Sequence, residues 1–186
     1  MQTPELHTVR LKLSRFASTD AADVFAYARN PKVAETVTWD AHQTVDDSLA
    51  FINFVNGKPA LDGEKRFFAW ALRDPNKSDA AIGSISFSQW NRIAGQIDYA
   101  LSADYWGKGL MTEAAGEVIK FAFGECPELV RIQATCLENN IGSKRVMEKI
   151  GMRFEGIARA GMYVKGKPVD VAIYAILRSD LAGRIP

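Results

Sequence analysis

The chain has few of the residues that build metal centres and disulfide frameworks. Its 186 residues include two cysteines, Cys126 and Cys136, and two histidines, His7 and His42. None of them is spaced like a pair of zinc ligands, and two thiols are too few for a disulfide framework. We therefore expect no metal site, and we expect thiols that stay reduced, as in a cytoplasmic protein.

Long apolar runs and a large net charge are also missing. No stretch approaches the roughly 20 apolar residues that a membrane-spanning helix needs, and the N-terminus lacks the pattern of a signal peptide. The 23 Lys and Arg residues nearly balance the 22 Asp and Glu residues, so the overall charge favours neither nucleic acid nor a membrane surface as a partner. We expect residues 1–186 to form one cytoplasmic domain, either a monomer or a homodimer.

The charge is nevertheless uneven along the chain. Between Arg131 and Lys167, eight Lys and Arg residues accompany three Glu residues, which gives a local charge of +5. Since the whole chain carries +1, the rest carries −4. A basic C-terminal third suits a small polyanionic ligand, although a solvated charged face is the commoner origin of such a run.

A strand, a glycine loop and a helix follow one another near the middle of the chain. The run 96–101 predicts the strand, Gly107 and Gly109 bracket the loop, and apolar residues repeat at helical spacing from Met111 to Ala122. Glycine lets backbone N–H groups turn toward a ligand, and the first helical turn offers unpaired N–H groups and the positive end of the helix dipole. This combination favours a bound phosphate or pyrophosphate. A plain tight turn is the alternative, because the loop matches neither a Walker motif nor a dinucleotide fingerprint.

The remaining patterns predict a mixed α/β (α+β) fold in the order β-α-α-β-β-β-α-β-α-β-β. Strands are predicted over 9–13, 66–73, 81–90, 95–102, 129–137, 153–164 and 169–177. Helices are predicted from the caps at 18–20 to 29, from Thr44 to 56–57, from the glycine loop to about 124, and from 139–140 to 150. Three consecutive strands imply antiparallel pairing and the later β-α-β unit implies a parallel crossover, so we expect a mixed central sheet with helices on both faces.

Two blocks of sequence, in this order of elements, resemble motifs of the GNAT superfamily of N-acetyltransferases. The first is YWGKGLMTEA, from Tyr105 to Ala114, which is similar to the family's pyrophosphate-binding motif. The second is NIGSKRVMEKIGM, from Asn140 to Met152, which is similar to the second motif and lies downstream as expected. Within the superfamily, the chain looks most like the ribosomal-protein-alanine N-acetyltransferase (Rim-type) branch.

The resemblance implies a site for acetyl-CoA as cosubstrate and no metal. The backbone of 99–101 would pair with the pantetheine arm as an added strand would, the glycine loop would wrap the pyrophosphate, Asn140 would bind the pantetheine amide, and Ser143 would lie near the thioester sulfur. The residues assigned to the cosubstrate in this way are Tyr99, Ala100, Leu101, Trp106, Gly107, Lys108, Gly109, Leu110, Met111, Thr112, Asn140, Ser143 and Arg145.

The residues that handle protons depart from the family's pattern. Many members have a Glu base where this chain has Gln96, and many have a Tyr acid where it has Met147. Asp98 is the substitute candidate for the base, because it lies two residues further along the same face of the strand; a structural carboxylate is the alternative. Ser143 lies one helical turn before Met147 and is the candidate hydrogen-bond donor to the leaving sulfur; a helix cap is the alternative.

These features predict an enzyme that moves an acetyl group from acetyl-CoA to a primary amine by direct attack in a ternary complex. The acceptor is either a protein N-terminal α-amine, for example of a ribosomal protein, or a small-molecule amine. Because the usual Glu and Tyr are missing, a non-catalytic acyl-CoA-binding module is the main alternative, and a nucleotide-phosphate enzyme is a third. The aromatic candidates for the acceptor wall are Trp39, Trp70, Trp90 and Tyr163, each of which is more often a core residue, and His42 is a minor catalytic candidate.

Overall fold

A computed structural model describes residues 3–58, 61–62 and 65–181. The strands in these ranges are β1 (Leu6–His7), β2 (Lys12–Ser14), β3 (Leu61–Asp62), β4 (Lys65–Asp74), β5 (Ser78–Asn91), β6 (Ala94–Leu101), β7 (Arg131–Leu137), β8 (Arg153–Val164) and β9 (Lys167–Leu177). The α-helices are α1 (Ala21–Ala28), α2 (Pro31–Ala34), α3 (Val45–Gly57), α4 (Leu110–Glu125), α5 (Ile141–Lys149) and α6 (Arg178–Leu181). Short 3-10 turns lie at Ser18–Asp20 and Ala103–Tyr105.

The strands form one mixed sheet in the order β1-β2-β4-β5-β6-β7-β9-β8, with β3 paired to β4. The pairing of β6 with β7 is parallel, and the other pairs along this order are antiparallel. The predicted mixed sheet, with a meander followed by a parallel crossover, is confirmed. The crossover helix is α4, which directly follows the glycine loop.

Helices cover both faces of the sheet, as the alternation of side chains along its strands requires. Phe68, Trp70 and Leu72 of β4 are fully buried in the core that includes α4, whereas Ala71 packs with α1 and α3 on the other face. The α4 surface that meets the sheet consists of small or medium apolar residues, all with little or no exposed area: Ala114, Ala115, Val118, Ile119 and Ala122. These small side chains let the helix axis approach the strands closely, so that the loop before α4 stays next to the end of β6.

A buried ion pair fixes the α1 region to the sheet. The Arg73 guanidinium of β4 donates to the Asp20 carboxylate over 2.7 Å, and both side chains are more than nine-tenths buried. Asp20 also accepts a hydrogen bond from the backbone N–H of Ala17. A buried pair of this kind requires both partners, because either charge alone would lie unpaired in the interior.

Two predicted elements differ from those in the structure. The single first strand predicted over 9–13 is wrong: Thr8 closes a turn on Leu11 through backbone and side-chain hydrogen bonds, so that β1 and β2 lie on either side of it. The helix α2 is the second difference, because no helix was predicted between residue 29 and Thr44. Asn30 caps this helical turn by accepting from the backbone N–H of Lys32, and Pro31 occupies the first helical position, where a missing N–H costs nothing.

Thr44 caps α3 as predicted, through a reciprocal pair of hydrogen bonds with Asp47. No helix in the part of the chain that the structure describes is long and apolar enough to cross a membrane.

Candidate active site

The site begins where two neighbouring strands part. Strands β6 and β7 pair over Ala94–Gln96 and Arg131–Gln133, and in the described structure their pairing stops there. Beyond that point β6 remains paired with β5 as far as Leu101, and β7 remains paired with β9 as far as Leu137. The two halves of the sheet therefore separate, and the facing edge of β6 keeps backbone groups that no strand occupies.

A cleft of about 860 Å³ opens at this separation. One end lies at the glycine loop and the start of α4, and the other end lies between the sheet and α3. With the exception of Lys108, every residue assigned to the cosubstrate from the sequence lines this cleft, and so does Asp98. The structure thus brings the predicted binding residues together, while their roles stay predictions.

The glycines of the loop are needed for their backbone conformation. Gly107 and Gly109 have φ angles of +74° and +76°, which residues with a side chain rarely adopt. A Cβ atom added at Gly107 would meet nothing within 4 Å, so lack of space is not the reason for glycine there. Gly109 is also the N-cap of α4. The backbone conformation at the two glycines therefore directs the free N–H groups of the first helical turn into the cleft.

Residues near the N-terminus brace this loop from outside. Glu113, in the first turn of α4, accepts hydrogen bonds from the Thr8 hydroxyl and from both the backbone N–H and the guanidinium of Arg10. The Arg10 guanidinium also donates to the carbonyl of Lys108 over 2.9 Å. Partial burial raises the pKa of Glu113, but these hydrogen bonds outweigh it and hold the pKa below its ordinary value. The brace was not expected from the sequence, because its partners lie about one hundred residues apart.

The first residues of the loop are tied to the end of β6. The Trp106 indole donates to the Leu101 carbonyl over 2.8 Å. The Lys108 ammonium donates to the Asp104 carbonyl over 2.6 Å, and this side chain lies outside the cleft lining. Any contact of Lys108 with a phosphate in this conformation would therefore come from its backbone.

Asn140 is held by two hydrogen bonds at the start of α5. Its side-chain oxygen accepts from the backbone N–H of Ser143 over 3.0 Å and so caps the helix. Its side-chain nitrogen donates to the Thr36 carbonyl over 3.2 Å. Both ends of the amide therefore already have protein partners, and the contact with Thr36 ties the segment after α2 to the edge of the cleft.

The candidate leaving-group donor has an unexpected partner. The hydroxyl of Tyr99, on β6, lies 2.8 Å from the hydroxyl of Ser143 and 3.3 Å from the Ser143 carbonyl. Burial is the largest cause that raises the pKa of Tyr99 well above its ordinary value. Sequence reasoning assigned only the backbone of Tyr99, since nothing in the local pattern shows that its ring reaches across to α5.

The candidate base lies on the opposite side of the same strand. Asp98 is next to Tyr99, so the alternation of a strand directs its side chain toward the face that carries α1 and α3. The Gln96 amide donates to Asp98 over 2.6 Å and accepts from Gln133 of β7 over 3.2 Å. The Asp98 side chain is open to the cleft, and desolvation by the surrounding cleft walls raises its pKa, while the Gln96 hydrogen bond and the charge of Lys58 lower it in part.

A family model for the acetyltransferase (GNAT) domain matches residues 10–153, a span that contains Arg10 and Glu113 of the brace, the glycine loop, both parted strands and α5. The chain belongs to the GNAT family of acetyltransferases. It is 34% identical over 174 residues to the uncharacterized N-acetyltransferase YnaD of Bacillus subtilis (strain 168), and the alignment covers 93% of this chain and 96% of YnaD. The chain is therefore an acetyltransferase of this family, as predicted.

Two further similarities refine the placement of this GNAT chain. It is 37% identical over 98 residues to YdaF of Bacillus subtilis (strain 168), a candidate ribosomal N-acetyltransferase, over 53% of this chain and 52% of YdaF. This similarity confirms the resemblance to the Rim-type branch. The microcin C7 self-immunity acetyltransferase MccE, solved in complex with acetyl-CoA and AMP, has a similar fold, with a TM-score of 0.77 at 20% identity over 91% of this chain and 93% of MccE. At that identity the similarity shows the fold alone.

The second end of the GNAT cleft is lined by residues that the sequence motifs did not reveal. Three alternate residues of β5, Ser84, Ser86 and Ser88, form a polar floor beside Asp98. Phe67 of β4, the strand neighbour of Ser88, lies beside this floor. The other apolar lining residues at this end are Phe16, Trp39, Phe51, Phe54 and Val55. The Lys58 ammonium lies 4.4 Å from the ring centre of Phe54 and 4.6 Å from that of Phe67, at the end of α3.

Of the four aromatic wall candidates, Trp39 alone lies in the cleft lining of the described structure. Trp70 is fully buried on the opposite face of β4 and donates its indole N–H to the Pro4 carbonyl. Trp90 and Tyr163 are exposed outside the cleft, with 40% and 76% of their surface accessible. Those three predictions are wrong, because the alternating pattern of a strand shows that two faces exist but does not show which one bears the site.

His42 also lies outside the cleft lining. Its ring nitrogen Nδ1 is 2.8 Å from the hydroxyl of buried Ser48, and burial lowers its pKa. These contacts make it a structural link between the Trp39 segment and α3.

Proposed function

We propose that this GNAT enzyme transfers the acetyl group of acetyl-CoA to a primary amine by direct attack in a ternary complex. The observation that carries the proposal is the parting of β6 from β7 beyond Gln96 and Gln133, directly beside a loop with two positive-φ glycines. The open strand edge suits the amide-bearing pantetheine arm, and the loop suits the pyrophosphate. Arg145 and Lys149 line the same cleft and add positive charge for the phosphates.

Asp98 takes the role of the base in this proposal. A lysine side-chain amine with a pKa of about 10.4 is almost fully protonated at neutral pH, whereas an α-amine with a pKa of about 7.7–8.0 needs little assistance. A carboxylate whose pKa is raised by desolvation is a better proton acceptor than one with the ordinary pKa. Asp98 lies beside the serine floor, on the side of β6 from which an amine would approach the thioester.

Ser143 takes the role of hydrogen-bond donor to the leaving sulfur. It lies at the start of α5, across the parted strands from Asp98, so base and donor face the reacting carbon from different sides. Cys136, also in the cleft, does not compete as a nucleophile: burial raises the pKa of its thiol, although Lys144 and Ser143 lower it in part. Direct attack therefore needs no acetyl-enzyme, because holding amine and thioester together supplies much of the rate.

The charges in the cleft favour an acceptor with a single amine. Among the described lining residues, one carboxylate, Asp98, accompanies three cations, Lys58, Arg145 and Lys149. A polyamine or an aminoglycoside carries several ammonium groups, which would find one anionic partner and a repelling Lys58. A peptide α-amine or a small apolar amine fits better, and peptides with ribosomal-protein N-termini belong to this class.

We also propose that the chain acts as one cytoplasmic domain, a monomer or a homodimer. Both cysteines, Cys126 and Cys136, are free and buried, which suits a reducing compartment.

The experiment is a thiol-release assay with acetyl-CoA against peptides with free N-termini, small apolar amines and spermidine, with calorimetric titration of CoA alongside. We expect CoA binding together with turnover of a peptide or an apolar amine, and poor turnover of spermidine. Tight CoA binding without turnover of any amine would instead establish a non-catalytic acyl-CoA-binding module. Thermal stabilisation by ATP and none by CoA would point to a nucleotide-phosphate enzyme.

A further inference from the structure

One contact in the cleft joins the two parted halves of the site. Tyr99 belongs to β6, the strand whose free edge faces the cleft, and Ser143 belongs to α5 on the other side. Their hydroxyl oxygens lie 2.8 Å apart, which is the usual distance of a hydrogen bond between hydroxyl groups. Both residues line the cleft, so a group placed in the separation would meet this pair.

The distances indicate which hydroxyl donates. Tyr99 has one proton and two acceptors within reach, the Ser143 hydroxyl at 2.8 Å and the Ser143 carbonyl at 3.3 Å. The shorter contact is the better hydrogen bond. When Tyr99 donates to the Ser143 oxygen, the serine proton is left to point elsewhere, since a hydroxyl can accept and donate at once.

Without this partner the Ser143 hydroxyl would have other orientations available. A serine in the first turn of a helix can rotate its proton back toward a carbonyl of the preceding turn, and such local bonds compete with any bond to a ligand. The Tyr99 hydroxyl occupies one lone pair of the Ser143 oxygen and restricts that rotation. This leaves the proton for an acceptor on the cleft side, where Cys136, whose thiol pKa a Ser143 hydrogen bond lowers, is one partner and a thioester sulfur between the strands would be another.

Tyr99 keeps its own proton while it does so. Burial raises its pKa, and the Ser143 hydrogen bond lowers it in part. The phenol therefore stays neutral across the range in which an amine acceptor can react. Its proton is engaged with the Ser143 oxygen, so in this arrangement Tyr99 serves as a hydrogen-bond donor to Ser143 and not as the acid.

We propose that Tyr99 is a positioning residue that directs the Ser143 hydroxyl toward the leaving sulfur of the thioester. The inference rests on the proposed acetyl transfer. As the amine nitrogen bonds to the acetyl carbon and the C–S bond breaks, sulfur takes the bonding electron pair and the Ser143 O–H stabilises it. The proton lost by the amine passes through Asp98 to solvent, and the departing thiolate takes up this proton equivalent from solvent as it leaves, so that charge and atoms balance.

The test compares Tyr99→Phe with the matched control Tyr174→Phe. Tyr174 is also buried and also bonds to α5, through Glu148 over 3.2 Å, but it does not line the cleft. We expect Tyr99→Phe to lower kcat about tenfold, because one well-oriented hydrogen bond in the transition state is worth roughly that factor. The KM for acetyl-CoA and the Kd for CoA should stay within about twofold, as the ring and the backbone remain. Tyr174→Phe should leave kcat unchanged.

A double variant separates positioning from a general loss of structure. If Tyr99 acts through Ser143, Tyr99→Phe with Ser143→Ala should be no slower than Ser143→Ala alone. Losses that multiply, a wild-type kcat in Tyr99→Phe, or an equal loss in Tyr174→Phe would each overturn the inference while acetyl transfer itself stands. A wild-type protein that binds CoA but turns over no amine would overturn the proposed function, and the inference with it.

Discussion

The side-chain amide of Gln96 donates to the carboxylate of Asp98 over 2.6 Å, in the place where many GNAT enzymes have a catalytic Glu. The same amide accepts from Gln133, so the pairing of β6 with β7 ends in a row of hydrogen-bonded polar side chains. The Gln96 amide, which cannot act as a base, thus orients the carboxylate that we propose as the base. Because the Gln96 hydrogen bond lowers the pKa of Asp98 in part, the effect of Gln at position 96 can be measured through that pKa.

Replacing Gln96 should move the pH dependence of the reaction. Burial raises the pKa of Asp98 and the Gln96 hydrogen bond lowers it in part. Gln96→Leu removes the lowering contribution, so the pKa of Asp98 rises further. Because the base must be deprotonated, the acidic limb of kcat/KM should shift to higher pH. A pH–rate profile measures this, and Gln43→Leu, at an exposed amide outside the cleft, is the control.

Asp98→Asn should replace the limb set by Asp98 with one set by the pKa of the amine itself, which lowers the rate at neutral pH and spares the rate at high pH, where the amine is already neutral. A Gln96→Leu profile that coincides with the wild-type profile would show that Asp98 does not control the rate.

The glycine loop should lose cosubstrate affinity when either glycine gains a side chain. At φ angles near +75°, alanine costs about 1–2 kcal/mol per residue, so Gly107→Ala or Gly109→Ala should weaken CoA binding by up to roughly thirtyfold. Calorimetric titration of CoA provides the measurement. Gly116→Ala is the matched control, because Gly116 lies within α4 with open space around its Cβ position. It should keep the wild-type Kd and gain up to about 1 kcal/mol of stability.

The brace between Arg10 and Glu113 should matter for the same affinity. Arg10→Met removes the donor to Lys108 and to Glu113, and the loop should then bind CoA several-fold more weakly. Arg153→Met, at an exposed ion pair with Asp180, is the control that should leave the Kd unchanged. Equal Kd values for Arg10→Met and the wild type would show that the loop holds its shape without the brace.

The pH dependence of stability at this brace has a definite sign. The folded-state pKa of Glu113 lies below its ordinary, unfolded value. The contribution of Glu113 to the free energy of unfolding is therefore fully present above its pKa in the unfolded state. This contribution is lost as the pH falls through its lower pKa in the folded state. Glu113→Gln should show a smaller loss of stability on acidification than the wild type. Urea unfolding at a series of acidic pH values measures the difference, and parallel curves would contradict it.

The buried pair of Asp20 and Arg73 should dominate the electrostatic contribution to stability. Arg73→Met leaves the Asp20 charge buried without its partner and should cost about 3–5 kcal/mol of unfolding free energy. Lys77→Met, from a pair with Asp74 at 4.0 Å and 59% exposure of the lysine, should cost less than about 1 kcal/mol. Chemical denaturation measures both values, and similar losses in the two variants would contradict this account.

Features set by neighbouring residues could be predicted from the sequence. The cap of α3 at Thr44, the cap of α5 at Asn140 and the positive-φ glycines depend on a few consecutive residues, and all are present. The start of the hairpin strand β8 was likewise predicted correctly at Arg153.

Contacts between residues that lie far apart in the sequence could not be predicted in this way. Tyr99 meets Ser143 across 44 positions of sequence, and Arg10 meets Glu113 across 103. The wrong assignment of Trp70 has the same origin, since a strand buried on both faces shows apolar residues in either direction.

The central claim is that the acetyl group leaves CoA in this cleft and arrives on an amine nitrogen. The most direct measurement is mass spectrometry of a peptide with a free N-terminus after incubation with acetyl-CoA whose acetyl group carries deuterium. We expect a deuterated acetyl group on the α-nitrogen with the wild-type enzyme, and a much lower yield at neutral pH with Asp98→Asn. Saturating CoA binding with no labelled acetyl group on this peptide or on any amine of the panel would contradict it.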